Sequence, residues 1–190
     1  NSLNTANKII TLAQDEKIKF IDTAINYEAS QQILKKINLD YFKVISKLPE
    51  ISEKNLADEE YIINIVENSL NNLGIKKYHC ILLHRPLQLL TDRNRKIVKS
   101  LNRLKSTGMI DKIGISIYSP DELESVINIM DLDIVQAPLN ILDQRMYQSG
   151  WLTKLRKKGI QFHAYNNQRL AHQFLFSSHG CSNRNWRMDF

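Results

Sequence analysis

Four residues of types that move protons stand at or just past short apolar runs in the first half of the chain. Asp22 ends the run IKFID and Tyr27 follows it in FIDTAINYEAS, while Lys47 ends VISK and His84 ends ILLH. A tyrosine phenol gives up its proton only near pH 10, about three units above neutrality. A nearby ammonium favours the phenolate and eases that transfer, and a carboxylate keeps the ammonium charged and in place. An imidazole can orient a carbonyl and donate a hydrogen bond to its oxygen. Such a set protonates the oxygen of a carbonyl while its carbon is attacked.

These residues need elements that bring them to one place. Apolar spacing predicts helices over 3–17, 30–37, 58–73, 91–107, 119–130 and 144–158. Short runs rich in Ile and Val predict strands over 18–23, 42–47, 78–84, 112–116, 133–137 and 160–165. Gly74, Gly108 and Gly159 read as helix stops, and Ser119-Pro120-Asp121-Glu122 reads as a helix start with a capping box. Strict alternation of strand and helix, with nearly continuous apolar strands, implies a parallel sheet with helices outside. No Gly-rich strand–helix turn marks an open nucleotide-binding sheet. Instead, polar residues recur after successive strands: Asp22, Lys47, His84, Ser116, Gln136 with Asn140, and Tyr165. In a parallel barrel these ends converge on one rim. The expectation is an α/β fold, a (β/α)8 TIM barrel that is incomplete, with about six βα units.

Composition narrows the classes. The apolar fraction of 43% suits a globular domain, and no run of eighteen apolar residues suggests a membrane span. The polar opening NSLNTANKII lacks the layout of a secretion signal. The two cysteines, Cys80 and Cys181, are far apart and fit a reducing compartment, so a cytoplasmic location is expected. The net charge of +6 is concentrated at 93–105 and 154–158, and both clusters read as solvated helix faces, with no nucleic-acid motif. His79, His163, Trp151 and Trp186 read as packing residues and Cys80 as a buried thiol. The irregular spacing of His172, His179 and Cys181 does not suggest a metal site.

Taken in order, these segments resemble the aldo-keto reductases. FIDTAINYEAS is similar to that family's D-T-A-x-x-Y-G-x-S segment, and VISKLP to its lysine strand. SLNNLGIKKYHCILLHRP resembles its S-L-x-x-L-G-x-x-Y-x-D-L-x-L-x-H-x-P signature, and LKSTGMIDKIGISIYSPDEL its L-x-x-x-G-K-I-R-x-I-G-V-S-N-F block. DIVQAPLNILDQ and FHAYN resemble later cofactor-contacting segments, so the likeness covers about 3–165. It implies reduction of an aldehyde or ketone, a small-molecule carbonyl substrate, by NADPH or in some members NADH. Tyr27 would be the general acid, tuned by Lys47 and Asp22, with His84 orienting the carbonyl. Ser116 and Gln136 would bind the nicotinamide carboxamide, and Tyr165 would stack on the ring. No metal is implied.

Departures accompany the likeness. Glu28 stands in place of the usual Gly, Gln31 in place of Glu, and Ile117 in place of an Asn that helps hold the carboxamide. The chain opens at what resembles the first barrel helix, so the first strand is expected to be absent. The expected organisation is a partial barrel over 1–168 and an unassigned tail over 169–190, as in a truncated or frameshifted sequence. Two further readings therefore stand beside the reductase: a non-catalytic nucleotide-binding or regulatory protein on the same scaffold, and an inactive truncated fragment.

Overall fold

Each of the six apolar runs forms a strand, and each strand pairs in parallel with its neighbour in sequence. The computed structural model describes residues 2–52, 55, 59–91 and 94–165. Its strands are β1 (Phe20–Asp22), β2 (Lys43–Leu48), β3 (Tyr78–Leu83), β4 (Ile110–Ser116), β5 (Ile134–Pro138) and β6 (Gln161–Tyr165), in the sheet order β1-β2-β3-β4-β5-β6. Between them lie α1 (Ser2–Asp15), α2 (Glu28–Leu34), α3 (Glu59–Leu73), α4 (Asn94–Ser106), α5 (Pro120–Val126), α6 (Arg145–Gln148) and α7 (Trp151–Lys157). The tail expected over 169–190 lies outside the described residues, with His172, His179, Cys181 and Trp186.

The sheet is strongly curled. In a flat sheet β1 and β6 would stand roughly 24 Å apart at the usual strand spacing. Here the Phe20 ring of β1 lies 5.6 Å from the His163 ring of β6 and 5.5 Å from the His79 ring of β3. The described strands thus form six strands of a (β/α)8 barrel, as expected.

Side chains alternate across such strands. Val44, Ile81, Leu83, Ile113, Ile115 and Val135 belong to the large core that also holds Ile62, Val66 and Leu70 of α3 and Ile97, Leu101 and Leu104 of α4. The opposite parity gives a smaller cluster, Ile45, Cys80, Leu82 and Ile134, on the inner face of the curl. Two residues further along three of these strands come Lys47, His84 and Gln136. The inner row therefore changes from apolar to polar at the strand ends.

Helix α4 shows which force holds the helices. Ile97, Leu101 and Leu104 are fully buried, and burying one such side chain is worth about 1.5–3 kcal/mol. On its outer side Lys99 pairs with Glu59, Arg103 with Glu60, and Lys105 with Asp133. Exposed pairs of this kind contribute roughly 0–1 kcal/mol each, so the apolar stripe dominates. Much of the positive charge of this face is thus already matched by carboxylates.

Several boundaries differ from the sequence expectation for local reasons. The helix expected over 144–158 is two helices, because Gly150 adopts φ +74°, a left-handed conformation that ends α6 and starts α7. Ser119 does precede α5 with Pro120 at its first position, but it makes no side-chain cap. Glu122 instead accepts from the Tyr118 amide at 3.3 Å, one residue before the expected partner. The segment Pro86–Leu90, after His84, forms an unexpected 3-10 helix.

Gly114 explains a close strand contact. A Cβ placed there would lie 2.4 Å from the Ile134 carbonyl oxygen of β5 and 2.6 Å from Leu82 of β3. The first neighbour is backbone and cannot step aside. Gly→Ala within a strand ordinarily stabilises; here Gly114→Ala is expected to destabilise by about 2–3 kcal/mol, read as a lower urea midpoint.

Acid should loosen the same fold. Burial lowers the pKa of His79, His84 and His163, and the nearby cations Lys112, Lys47 and Lys112 respectively add to that effect. The unfolded chain therefore binds more protons than the fold in the window below about pH 6.5, so stability falls as pH falls through it. Urea midpoints should be lower at pH 5.5 than at pH 7.5. The double variant His79→Gln/His163→Gln should lose part of that drop, and an unchanged drop would refute this assignment.

Candidate active site

Asp22 is the last residue of β1, and the chain does not leave the sheet there. The Thr23 amide bonds to the Ile45 carbonyl at 2.9 Å and the Ile25 amide to the Lys47 carbonyl at 3.1 Å. The segment carrying Tyr27 is therefore strapped to the backbone of Lys47. It is held from behind as well. Gln31 of α2 donates its amide to the Ala24 carbonyl at 3.3 Å and to the Ser69 hydroxyl of α3 at 3.1 Å. Ser69 in turn lies 2.7 Å from the Tyr78 hydroxyl of β3. Ala24, Gln31, Ser69 and Tyr78 are all buried, so each polar group here needs its partner. The Gln that replaces the family's Glu at 31 is thus a fully engaged donor.

The side chains expected to do chemistry meet in a chain of bonds. Lys47 donates to one oxygen of Asp22. The other oxygen accepts from the Gln136 amide at 2.6 Å, and the Gln136 carbonyl accepts from the Ser116 hydroxyl at 3.2 Å. Gln136 and Ser116 are buried; the Lys47 side chain is 11% exposed and that of Asp22 is 40% exposed. Beyond these two bonds Gln136 keeps one amide N–H and one carbonyl lone pair. Those are the complements of a primary carboxamide, so this pair of residues fits such a group.

His84 follows β3, and its amide bonds to the Leu48 carbonyl at 3.1 Å, next to Lys47 in sequence. Burial lowers its pKa, repulsion from Lys47 and Arg85 lowers it further, and Asp22 opposes them. The imidazole is neutral at neutral pH. It borders a cavity of about 480 Å3 with Ile51, Arg85, Gln88, Tyr118 and Glu122. Gln88 is fixed at its carbonyl, which accepts from the Ile51 amide at 3.2 Å.

Two expected residues are less tightly joined to this chain. Tyr27 sits at the start of α2 and is 46% exposed, and its hydroxyl makes no hydrogen bond among the described residues. Tyr165, at the end of β6, donates to the Ile117 carbonyl at 3.3 Å, and burial raises its pKa. Asn140 serves the loop after β5, accepting from the amides of Leu142 and Asp143. Ile117 is fully buried in the core and presents no polar group where the family pattern has Asn.

Sequence reasoning missed the fastening of the rim loops. Arg145 donates twice to Asp143, at 2.9 and 2.8 Å, and once to the Tyr118 carbonyl at 2.9 Å. The loops after β4 and β5 are thereby tied together. Asp143 is 5% exposed, and the hydrogen bond from Arg145 holds its carboxyl below the usual carboxylate range. An Asp two residues before an Arg that opens a short helix carries no signal that could announce this.

Comparison with known proteins follows the same lines. The chain is similar to aldo-keto reductase YhdN of Bacillus subtilis (strain 168), with 27% identity over 157 residues, covering 76% of this chain and 46% of that protein. It thus spans about half the length of this curated relative. In fold it is similar to aldo-keto reductase AKR11C1 from Bacillus halodurans in its holo form, with a TM-score of 0.71 and 20% identity, covering 84% of this chain and 56% of that one. An aldo-keto reductase from Klebsiella pneumoniae in complex with NADPH gives a TM-score of 0.63 and 21% identity, covering 83% and 55%. The Aldo/keto reductase family model matches residues 1–184. With that match spanning nearly the whole sequence, the chain belongs to the aldo/keto reductase family.

Proposed function

We propose that this chain carries the site of a nicotinamide-dependent carbonyl reductase, with Tyr27 as the general acid. The observation that carries the reading is the ion pair of Lys47 and Asp22 at the strand ends. Its ammonium is nearly buried, and the Lys47 backbone carbonyl accepts from the Ile25 amide in the segment that leads to Tyr27. A fixed cation beside a phenol favours the phenolate that remains after proton transfer. Asp22 keeps Lys47 charged and in place. His84, as a neutral imidazole, orients the substrate oxygen, and the cavity beside it receives the rest of a small aldehyde or ketone. NADPH, or NADH, supplies the hydride when bound. Ser116 and Gln136 would hold its carboxamide and Tyr165 would cover its ring. The buried free thiol of Cys80 suits the reducing interior of a cell, and the reading assigns a cytoplasmic location with no metal, nucleic acid or membrane partner. Among the described residues no helix is long and apolar enough to cross a membrane.

A second reading has a specific observation behind it. Tyr27 is exposed and its hydroxyl makes no hydrogen bond to Lys47 or His84 among the described residues, and Ile117 is buried in the core, so on this reading it withdraws one polar contact from the carboxamide site. A nucleotide-binding protein without turnover would tolerate both.

Tyr27→Phe separates the two. As general acid its loss should lower aldehyde-dependent NADPH oxidation by at least about 100-fold. NADPH affinity, read by fluorescence titration, should be unchanged. Retained turnover in Tyr27→Phe would remove Tyr27 from the mechanism. NADPH binding with no turnover of any carbonyl in the parent chain would favour the binding protein.

A further inference from the structure

Gln136 does something that a cofactor contact alone does not require. Its amide nitrogen lies 2.6 Å from Asp22, on β1, although Gln136 stands on β5. Its amide oxygen faces the Ser116 hydroxyl of β4 at 3.2 Å. This orientation is chemically forced. Turning the amide over would set its oxygen against the Asp22 carboxylate, two acceptors with no proton between them. Glutamate at this position would place a second carboxylate in the same contact. Methionine would fill the space and leave one Asp22 oxygen without its donor. Asp22 is thereby clamped from both sides, by Lys47 at one oxygen and by Gln136 at the other.

We infer that Gln136 is a positioning residue for the Asp22–Lys47 pair, and that it couples the carboxamide site to the proton-donor set. The inference rests on the reading of Ser116 and Gln136 as that carboxamide site. The two duties do not compete for atoms. One N–H of Gln136 serves Asp22 and one remains; one lone pair serves Ser116 and one remains. A carboxamide bound to the remaining pair polarises the same amide that holds Asp22, because hydrogen bonds in series strengthen one another. Occupancy on the cofactor side is then felt at the carboxylate that fixes Lys47. Reciprocally, a change at Asp22 alters affinity on the cofactor side.

Two measurements on the whole chain test this. The first needs no activity. The Gln136 side-chain amide signal in a nitrogen–proton NMR spectrum is identified by its loss in Gln136→Met. Asp22→Asn, which exchanges a charged acceptor for a neutral amide, should move that signal, and an unmoved signal would overturn the proposal. The second is a double-mutant cycle in NADPH affinity, read by fluorescence. Asp22→Asn and Gln136→Met should each weaken binding, the latter by about tenfold, the scale of one hydrogen bond in a charged network. The double variant should weaken it clearly less than the product of the two. Multiplicative effects, or unaltered affinity in Asp22→Asn, would overturn the coupling. If the parent chain binds no NADPH, the functional reading fails instead. The NMR signal then decides alone whether Gln136 holds Asp22.

Discussion

The carboxylate of Asp22 joins three strands. One oxygen meets Lys47 on β2 and the other meets Gln136 on β5. A flat sheet would hold β1 and β5 roughly 19 Å apart. The second contact therefore exists only because the sheet curls. The curl draws on the twist that strands of L-residues carry, and on Gly114, whose missing Cβ lets β4 lie against Ile134 and Leu82. Apolar packing of helices outside and a small apolar cluster inside hold the curl in place. The site is then the point where the inner row of side chains changes from Ile and Leu to Lys, His and Gln.

Charge at this point is distributed unevenly. Lys47 is nearly buried while Asp22 keeps contact with water. An ammonium so placed depends on its counter-ion, since removing one partner of a buried pair leaves an uncompensated charge. The carboxylate, being wetter, is less dependent. The low polarity that makes Lys47 need Asp22 also disfavours a second cation, and His84 accordingly binds its proton less readily than usual. One fixed cation, one fixed anion and one neutral imidazole result. On the reading proposed above, this fixed cation serves the Tyr27 phenol as proton donor.

Much of this was legible in the sequence because it depends on patterns of period two and of three to four. The six strands follow from their apolar runs, and the convergence of Asp22, Lys47, His84, Ser116 and Gln136 follows from all of them ending parallel strands. What was not legible depends on pairs distant in the chain. The clasp of Arg145 on Asp143 and the Tyr118 carbonyl needs two loops whose approach only the folded sheet defines. The break at Gly150 is local: Trp151 and Leu155 keep the helical repeat, while Met146 stands five residues before Trp151, off that repeat, and all three are buried. The Glu122 contact falls one residue earlier than the capping pattern predicts, on the Tyr118 amide, although Ser119 has the extended backbone of an N-cap.

Ile117 shows why a departure from the family pattern need not dismantle the site. Its side chain is buried in the core and cannot hold a polar ligand. Its backbone, however, is used at both ends. Its amide bonds to the backbone carbonyl of Gln136 at 2.9 Å, and its carbonyl accepts from the Tyr165 hydroxyl at 3.3 Å. A change of side chain leaves both bonds intact. Residue 117 still fixes the end of β4 against Gln136 and Tyr165, which with Ser116 are the residues the proposed reading gives to the nicotinamide. On the proposed reading, the change takes one polar contact from the carboxamide, so its recognition would fall more heavily on Ser116 and Gln136, while the backbone frame persists.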